Sequence, residues 1–184
     1  MILTPGFDLT LRPMRYPQFW DSYKDSVANA WRVDEVDFTR DVMDLRSKMS
    51  KGEQHLIHRL VAFFATGDSL VANNVAVGLY RHVNSPEARM YISRQLSEEA
   101  LHIQFYLTLI DSYITDPSER NAMFAAVNNV PAIKAKADFC DKWMMDMFNM
   151  PKTDTDENKQ LFLLNTLTFA GAVEGLFFYA AFAY

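Results

Sequence analysis

Ser97-Glu98-Glu99-Ala100-Leu101-His102-Ile103-Gln104-Phe105-Tyr106 has the composition of a helix. Wound as one, it places Glu99, His102 and Tyr106 at i, i+3 and i+7, on a single face over two turns. A carboxylate and an imidazole three residues apart can grip one metal ion from a rigid backbone. Glu-x-x-His is the repeating ligand unit of helical-bundle di-metal proteins. The pair alone is common by chance, so its weight depends on what the sequence sets beside it.

Two further carboxylates interrupt apolar helical runs. Asp68 lies in Phe63-Phe64-Ala65-Thr66-Gly67-Asp68-Ser69-Leu70-Val71, and Glu174 is the one charged residue between Leu161 and Tyr184. A carboxylate in such a setting needs a cation, a metal or hydrogen-bond donors. Asp68 has two readings: bonding to local hydroxyls such as Thr66 or Ser69, or ligating a metal. Glu174 likewise pairs with a Lys or Arg of a neighbouring helix, or with a metal. Phe178 and Phe182 follow Glu174 at i+4 and i+8 on the same stripe. His55 and His58 read as a solvated turn, His82 as a residue favoured by a helix C-terminus, and the methionines around Met144–Met150 as core filler.

Around these residues the punctuation is helical throughout. Ser50-x-x-Glu53 is a capping box opening a helix from about Lys51 to Val83, with Gly67 marking a kink or close packing. Ser85-Pro86-Glu87 starts a helix running to about Tyr113. Asp116-Pro117 starts a shorter one, Pro131 another to Asn149, and the polar turn 153–157 caps the last helix, about Leu161 to Tyr184. An earlier helix is expected from Pro17 to Trp31, after an extended arm over residues 1–16, with 31–38 as a connection. No strand alternation or repeat is visible, so the expectation is a single all-α domain over 1–184.

A length of 184 residues, 49% of them apolar, is enough to bury a sizeable core. A net charge of −5 without a basic block excludes nucleic acid as the natural partner. The single cysteine, Cys140, precludes an internal disulfide and favours a reducing compartment, here the cytoplasm. The last helix is long and apolar enough to span a membrane. Its Asn165, Thr166 and Thr168, and the lack of flanking basic residues, favour instead a helix buried on all sides of a bundle. Because that helix reaches Tyr184 with no cap signal, the chain is expected to be the N-terminal part of a longer or split protein.

In these segments the chain resembles the small, radical-generating subunit of class I ribonucleotide reductase. The likeness is carried by Trp31-Arg32-Val33-Asp34-Glu35-Val36-Asp37, the Asp68 run, Glu98-Glu99-Ala100-Leu101-His102 with Tyr106, Ala132-Ile133-Lys134-Ala135-Lys136, and Val173-Glu174-Gly175-Leu176-Phe177-Phe178. The resemblance implies a ferritin-like helical bundle, truncated on its C-terminal side. It implies that Asp68, Glu99 and His102 bind a first metal, with Glu99 bridging, and that Glu174 binds a second. The pair would be two irons, two manganese ions or one of each. Tyr106 would hold the stable radical, Phe178 and Phe182 would shield it, and Trp31 would begin the electron path to the large subunit. A homodimer is implied, without nucleic-acid or membrane binding. A second Glu-x-x-His, an Asp linking the ligand His to the Trp, and the C-terminal docking tail have no counterpart in the sequence. A second polypeptide carrying that motif is therefore an expected partner. The alternatives are a ferritin-like oxidase or ferroxidase, and a non-catalytic helical protein.

Overall fold

The computed structural model describes residues 1–183 and is helical throughout, with no strand among the described residues. Its helices are α1 (Pro17–Ala28), α2 (Thr39–Ser47), α3 (Lys51–Asn74), α4 (Pro86–Tyr113), α5 (Pro117–Asn129), α6 (Pro131–Asn149), α7 (Asp156–Leu167) and α8 (Tyr179–Phe182). A 3-10 turn occupies Val33–Glu35. Two helices run on without a break into wider π-helical turns, α3 through Val75–Tyr80 and α7 through Thr168–Phe177. Such turns are rare and cluster at functional sites.

The caps behave as their chemistry requires. The Ser50 hydroxyl accepts from the Glu53 amide while the Glu53 carboxylate accepts from the Ser50 amide, satisfying two orphan donors at the start of α3. The Ser85 hydroxyl accepts from the Ala88 amide and the Thr155 hydroxyl from the Asn158 amide, starting α4 and α7. The Glu87 carboxylate does more than favour a helix start. It accepts from the Arg15 and Tyr16 amides at 2.9 and 2.7 Å, pinning the N-terminal arm to α4.

The bundle is organised on the antiparallel pair α3 and α4, with α1 against α4 and with α5 and α6 against α3. Phe64, Val71, Val75, Ile92, Phe169, Val173 and Phe178 form the main core. Two contacts set the register of α7 against α3. Asn74 and Asn165 exchange amide hydrogen bonds at 3.1 Å in both directions, and Asn165 also donates to the Trp143 carbonyl. Both amides are fully buried, and with their bonds made they specify one pairing. Further along, Gly67 meets the Phe178 ring. Asp68 and Glu174 lie between these two anchors and are thereby turned toward the same interior.

At Gly67 an added Cβ would stand 2.6 and 2.7 Å from two carbons of the Phe178 ring. That ring is 1% exposed and boxed by Phe63, Phe64 and Phe182, so it has nowhere to retreat. Gly67→Ala is expected to destabilise the protein by about 1–3 kcal/mol through overpacking, even though alanine is the better helix former. Chemical denaturation measures this. A stabilised variant would show that the ring is free to move.

Structure and expectation differ in three places. The connection expected over 31–38 contains a 3-10 turn, and an unanticipated helix, α2, follows it; its nine residues are mostly polar and bury only Leu45. The first helix stops at Ala28 rather than Trp31. The last helix begins at Asp156 and is not buried on all sides. It packs one side against α6 and the π-helical extension of α3 and leaves Leu163, Leu164, Leu167, Leu176 and Tyr179 more than half exposed; Tyr184 lies outside the described residues. By length and composition alone, α3 and α7 with their extensions are each apolar enough to cross a membrane, and α3 is the central helix of the bundle. Between α4 and the π-helical extension of α7 lies a groove of about 520 Å³, floored by Val71, Asn74, Val75 and Leu79 of α3 and bordered by Glu174. Ile2 and Leu3 of the N-terminal arm also line it.

Candidate metal centre

Glu99 and His102 project from one face of α4 toward α3, as their three-residue spacing requires. The adjacent Glu98 is turned aside and pairs with Arg94. The His102 Nδ1 stands 3.4 Å from Glu99 Oε2 and 3.6 Å from Asp68 Oδ2. One ligand atom from each of Asp68, Glu99 and His102 lies within 4.8 Å of the other two. Asp68 and Glu99 are buried, whereas the His102 side chain remains 40% exposed. Thr66, one of the two hydroxyls expected to hold Asp68, instead donates to the Ala62 carbonyl.

Glu174 stands outside this tight trio but close enough to feel it. Burial first, then the charges of Glu99 and Asp68, push its carboxyl up to about 7. Its Oε1 is buried with no hydrogen-bond partner. Asp68 is likewise raised to about 7, by burial and then by Glu99. His102 is raised from its ordinary value because it faces the Glu99 carboxylate. Three carboxylates sharing one imidazole are short of positive charge, and each raises the cost of ionising another. A divalent cation would remove that cost.

Tyr106 lies one turn beyond His102. Burial, followed by Asp68, Glu99 and Glu174, pushes its phenol above the ordinary tyrosine value. Its ring stacks on Phe64 at 5.3 Å and 14°. Phe64 in turn stacks on Phe182 at 4.5 Å and meets Phe178 edge-on at 5.6 Å. Phe178 is buried, but Phe182 is 62% exposed, so the aromatic wall is closed on one side only. Trp31 precedes the 3-10 turn, in which Val33 is buried and Arg32 donates to both carboxylate oxygens of Asp34. Its ring stacks against His102 at 6.2 Å and 27°.

Phe64 and Asn165 escape sequence reasoning. In sequence Phe64 is one more apolar residue of α3, yet it is the ring between Tyr106 and the Phe pair. Asn165 reads as a polar dilution of the last helix, yet it fixes that helix in register. The only available signal is an amide in an otherwise apolar run. His58 also departs from the expected solvated turn: it is half-buried, with Nδ1 3.7 Å from Glu119 of α5.

A family model described as "Ribonucleotide reductase, small chain" matches residues 8–184. A ribonucleoside-diphosphate reductase small chain of Arabidopsis thaliana is 34% identical over 182 residues, 98% of this chain and 51% of its own length. The ribonucleotide reductase R2 subunit from Clostridium botulinum superposes with a TM-score of 0.81 at 18% identity, over 100% of this chain and 59% of that one. The dimanganese(II)-NrdF of Streptococcus sanguinis superposes at 0.73 with 14% identity, over 89% of this chain and 54% of that one. The sequence thus spans about half the length of the Arabidopsis relative.

Proposed function

The chain belongs to the ribonucleotide reductase small-chain family, and from that premise we propose that it provides the radical-generating side of a ribonucleoside-diphosphate reductase. The observation that carries this reading is the gathering of Asp68, Glu99 and His102 around one point, with Glu174 and Tyr106 within reach of their charge. The donor set is hard oxygen with one imidazole nitrogen, which suits iron or manganese better than copper or a structural zinc. The orphaned Glu174 Oε1 fits the same conclusion, because a buried carboxylate oxygen without a partner is satisfied by a cation.

Asp68 and His102 would hold the first metal, Glu99 would reach from the first to the second, and Glu174 would hold the second. Two irons, two manganese ions or a mixed pair suit these donors alike. When bound, the pair supplies, with dioxygen, a one-electron oxidant. Tyr106 gives up an electron and its phenolic proton and retains the radical. Phe64, Phe178 and Phe182 keep water from one side of the phenol, which lengthens the life of such a species. Trp31 relays the oxidising equivalent outward to a large subunit, which would carry the nucleotide and the thiols in a cytoplasmic assembly. The small subunit itself would be a homodimer, as the family implies.

Among the described residues the second metal has only Glu174 and the shared Glu99. The groove beside Glu174 offers a seat for one more amphipathic helix, with apolar residues on Val71, Val75 and Phe169 and a Glu-x-x-His facing Glu174. A segment bearing that motif, further along the same polypeptide or on a second one, would complete the centre. Metal analysis and radical spectroscopy test this together. The chain alone is expected to bind a single ion of iron or manganese and to give no tyrosyl signal. Supplying a segment that carries the Glu-x-x-His, joined to residues 1–184 or added in trans, is expected to add the second ion and the signal. A full dinuclear centre with a tyrosyl radical on the isolated chain would refute the need for a partner. Failure to bind any metal in the completed assembly would refute the centre.

A further inference from the structure

Trp31 touches more than His102. Its indole meets the Phe105 ring edge-on at 5.7 Å and 75°, and Phe105 meets Tyr106 edge-on at 5.5 Å and 74°. His102, Phe105 and Tyr106 share one side of α4, and Trp31 lies across the first two. Phe38 packs behind Phe105 at 5.5 Å, away from Trp31 and Tyr106 in the contact chain. An unbroken aromatic contact therefore joins indole to phenol without passing through any of the metal-binding side chains.

We propose that Phe105 is the positioning residue through which Trp31 and Tyr106 exchange an electron. A phenylalanine ring is far harder to oxidise than tryptophan or tyrosine, so Phe105 is never itself the radical. It fills the gap with polarisable ring and holds the two redox-active rings at fixed separation and orientation. The assignment rests on the reading of Trp31 and Tyr106 as redox partners, but the coupling is a property of the metal-free chain too. In the direction easiest to observe, a neutral Trp31 radical takes one electron from Tyr106. The half-buried phenol loses its proton to water, the indole nitrogen regains one from water, and a tyrosyl radical remains.

Pulse radiolysis of the metal-free chain tests this. The azidyl radical removes one electron from tryptophan and leaves as azide, and the indole proton passes to water. The background carries Trp20→Phe and Trp143→Phe, because Trp20 stacks on Tyr23 at 5.8 Å and would give its own tryptophan-to-tyrosine signal. In this background the tryptophanyl band is expected to decay in a first-order, concentration-independent phase matched by growth of the tyrosyl band. Tyr106→Phe should remove that phase. Phe105→Leu should slow it severalfold, and Phe38→Leu, which loosens the packing behind Phe105 but leaves the ring in place, should not. An unchanged rate in Phe105→Leu overturns the proposal, as does equal slowing by Phe38→Leu, which would make the effect one of packing. A phase that survives Tyr106→Phe also overturns it, and would leave the metal-centre reading untouched. Conversely, a Phe105-dependent phase in a protein that never binds metal supports the coupling while the metal reading fails.

Discussion

Asp68→Asn is expected to make the metal-free chain more stable above pH 7 and to abolish its metal binding. Asp68 is 4% exposed, and its carboxyl is raised from 3.8 to about 7 by burial and by Glu99. For an acid whose folded value is raised, the folded state binds more protons than the unfolded one between the two values. Stability therefore falls as pH rises through that window. Below about 4 the carboxyl is protonated in both states and costs nothing. Above about 7 the folded protein carries the whole penalty, on the order of 4 kcal/mol at most for such a displacement. Glu174, raised from 4.5 to about 7, acts in the same direction. His102 adds to the slope, since a raised imidazole stabilises at low pH and loses that benefit as pH climbs through its folded value. The carboxylates raise one another, so their costs do not add. Asparagine keeps the shape and removes the charge. Stabilities from urea unfolding compared at pH 4 and pH 8 should show a gain of about 2–4 kcal/mol at the higher pH, little at the lower, and a flattened pH profile. A destabilised Asp68→Asn at pH 8 would mean that the carboxylate is a structural group, and the case for a metal there would weaken with it. The same arithmetic makes metal binding most stabilising above pH 7, where it relieves the most repulsion.

What the sequence made legible follows from which physics is local. Capping and proline rules act within four residues, and Ser50/Glu53, Ser85/Pro86 and Thr155 mark helix starts that the structure bears out. The all-α bundle follows from them. Helix α2 gives no such warning: Phe38 stands at its N-cap without a side-chain bond, and its nine residues are mostly polar. Within the site, the common face of Glu99, His102 and Tyr106 is helical geometry and needs no tertiary information. The approach of Asp68 and Glu174 to that face depends on the register of α7 against α3, set by Asn74–Asn165 and by Gly67–Phe178 across some 90 residues or more of sequence. Neither contact has a local signature. The same holds for Phe64 and Phe105: in sequence each is an apolar residue among others, and only the stacking geometry separates them from core filler.

Tyr106→Phe is expected to abolish the radical completely while metal binding stays as it was. The substitution removes one oxygen and keeps the ring, so the stack on Phe64 survives, and a near-isosteric swap of this kind costs less than about 1.5 kcal/mol of stability. Burial, and then the charges of Asp68, Glu99 and Glu174, disfavour the phenolate of Tyr106 and keep the phenol protonated. Oxidation of Tyr106 must therefore release a proton with the electron, and phenylalanine has neither the potential nor the proton to do so. In the completed assembly, electron paramagnetic resonance should show no tyrosyl signal, metal analysis should match the parent, and nucleotide reduction should fall to background. The result also separates the rival readings. A ferroxidase would oxidise iron equally well in the Tyr106→Phe variant, since its chemistry ends at the metal. A reductase that kept its turnover without Tyr106 would have to hold its oxidising equivalent on the metals themselves. Trp31, stacked against His102, would then be the first protein group to receive it, and Phe105 would lose its part in catalysis while keeping its place between the two rings.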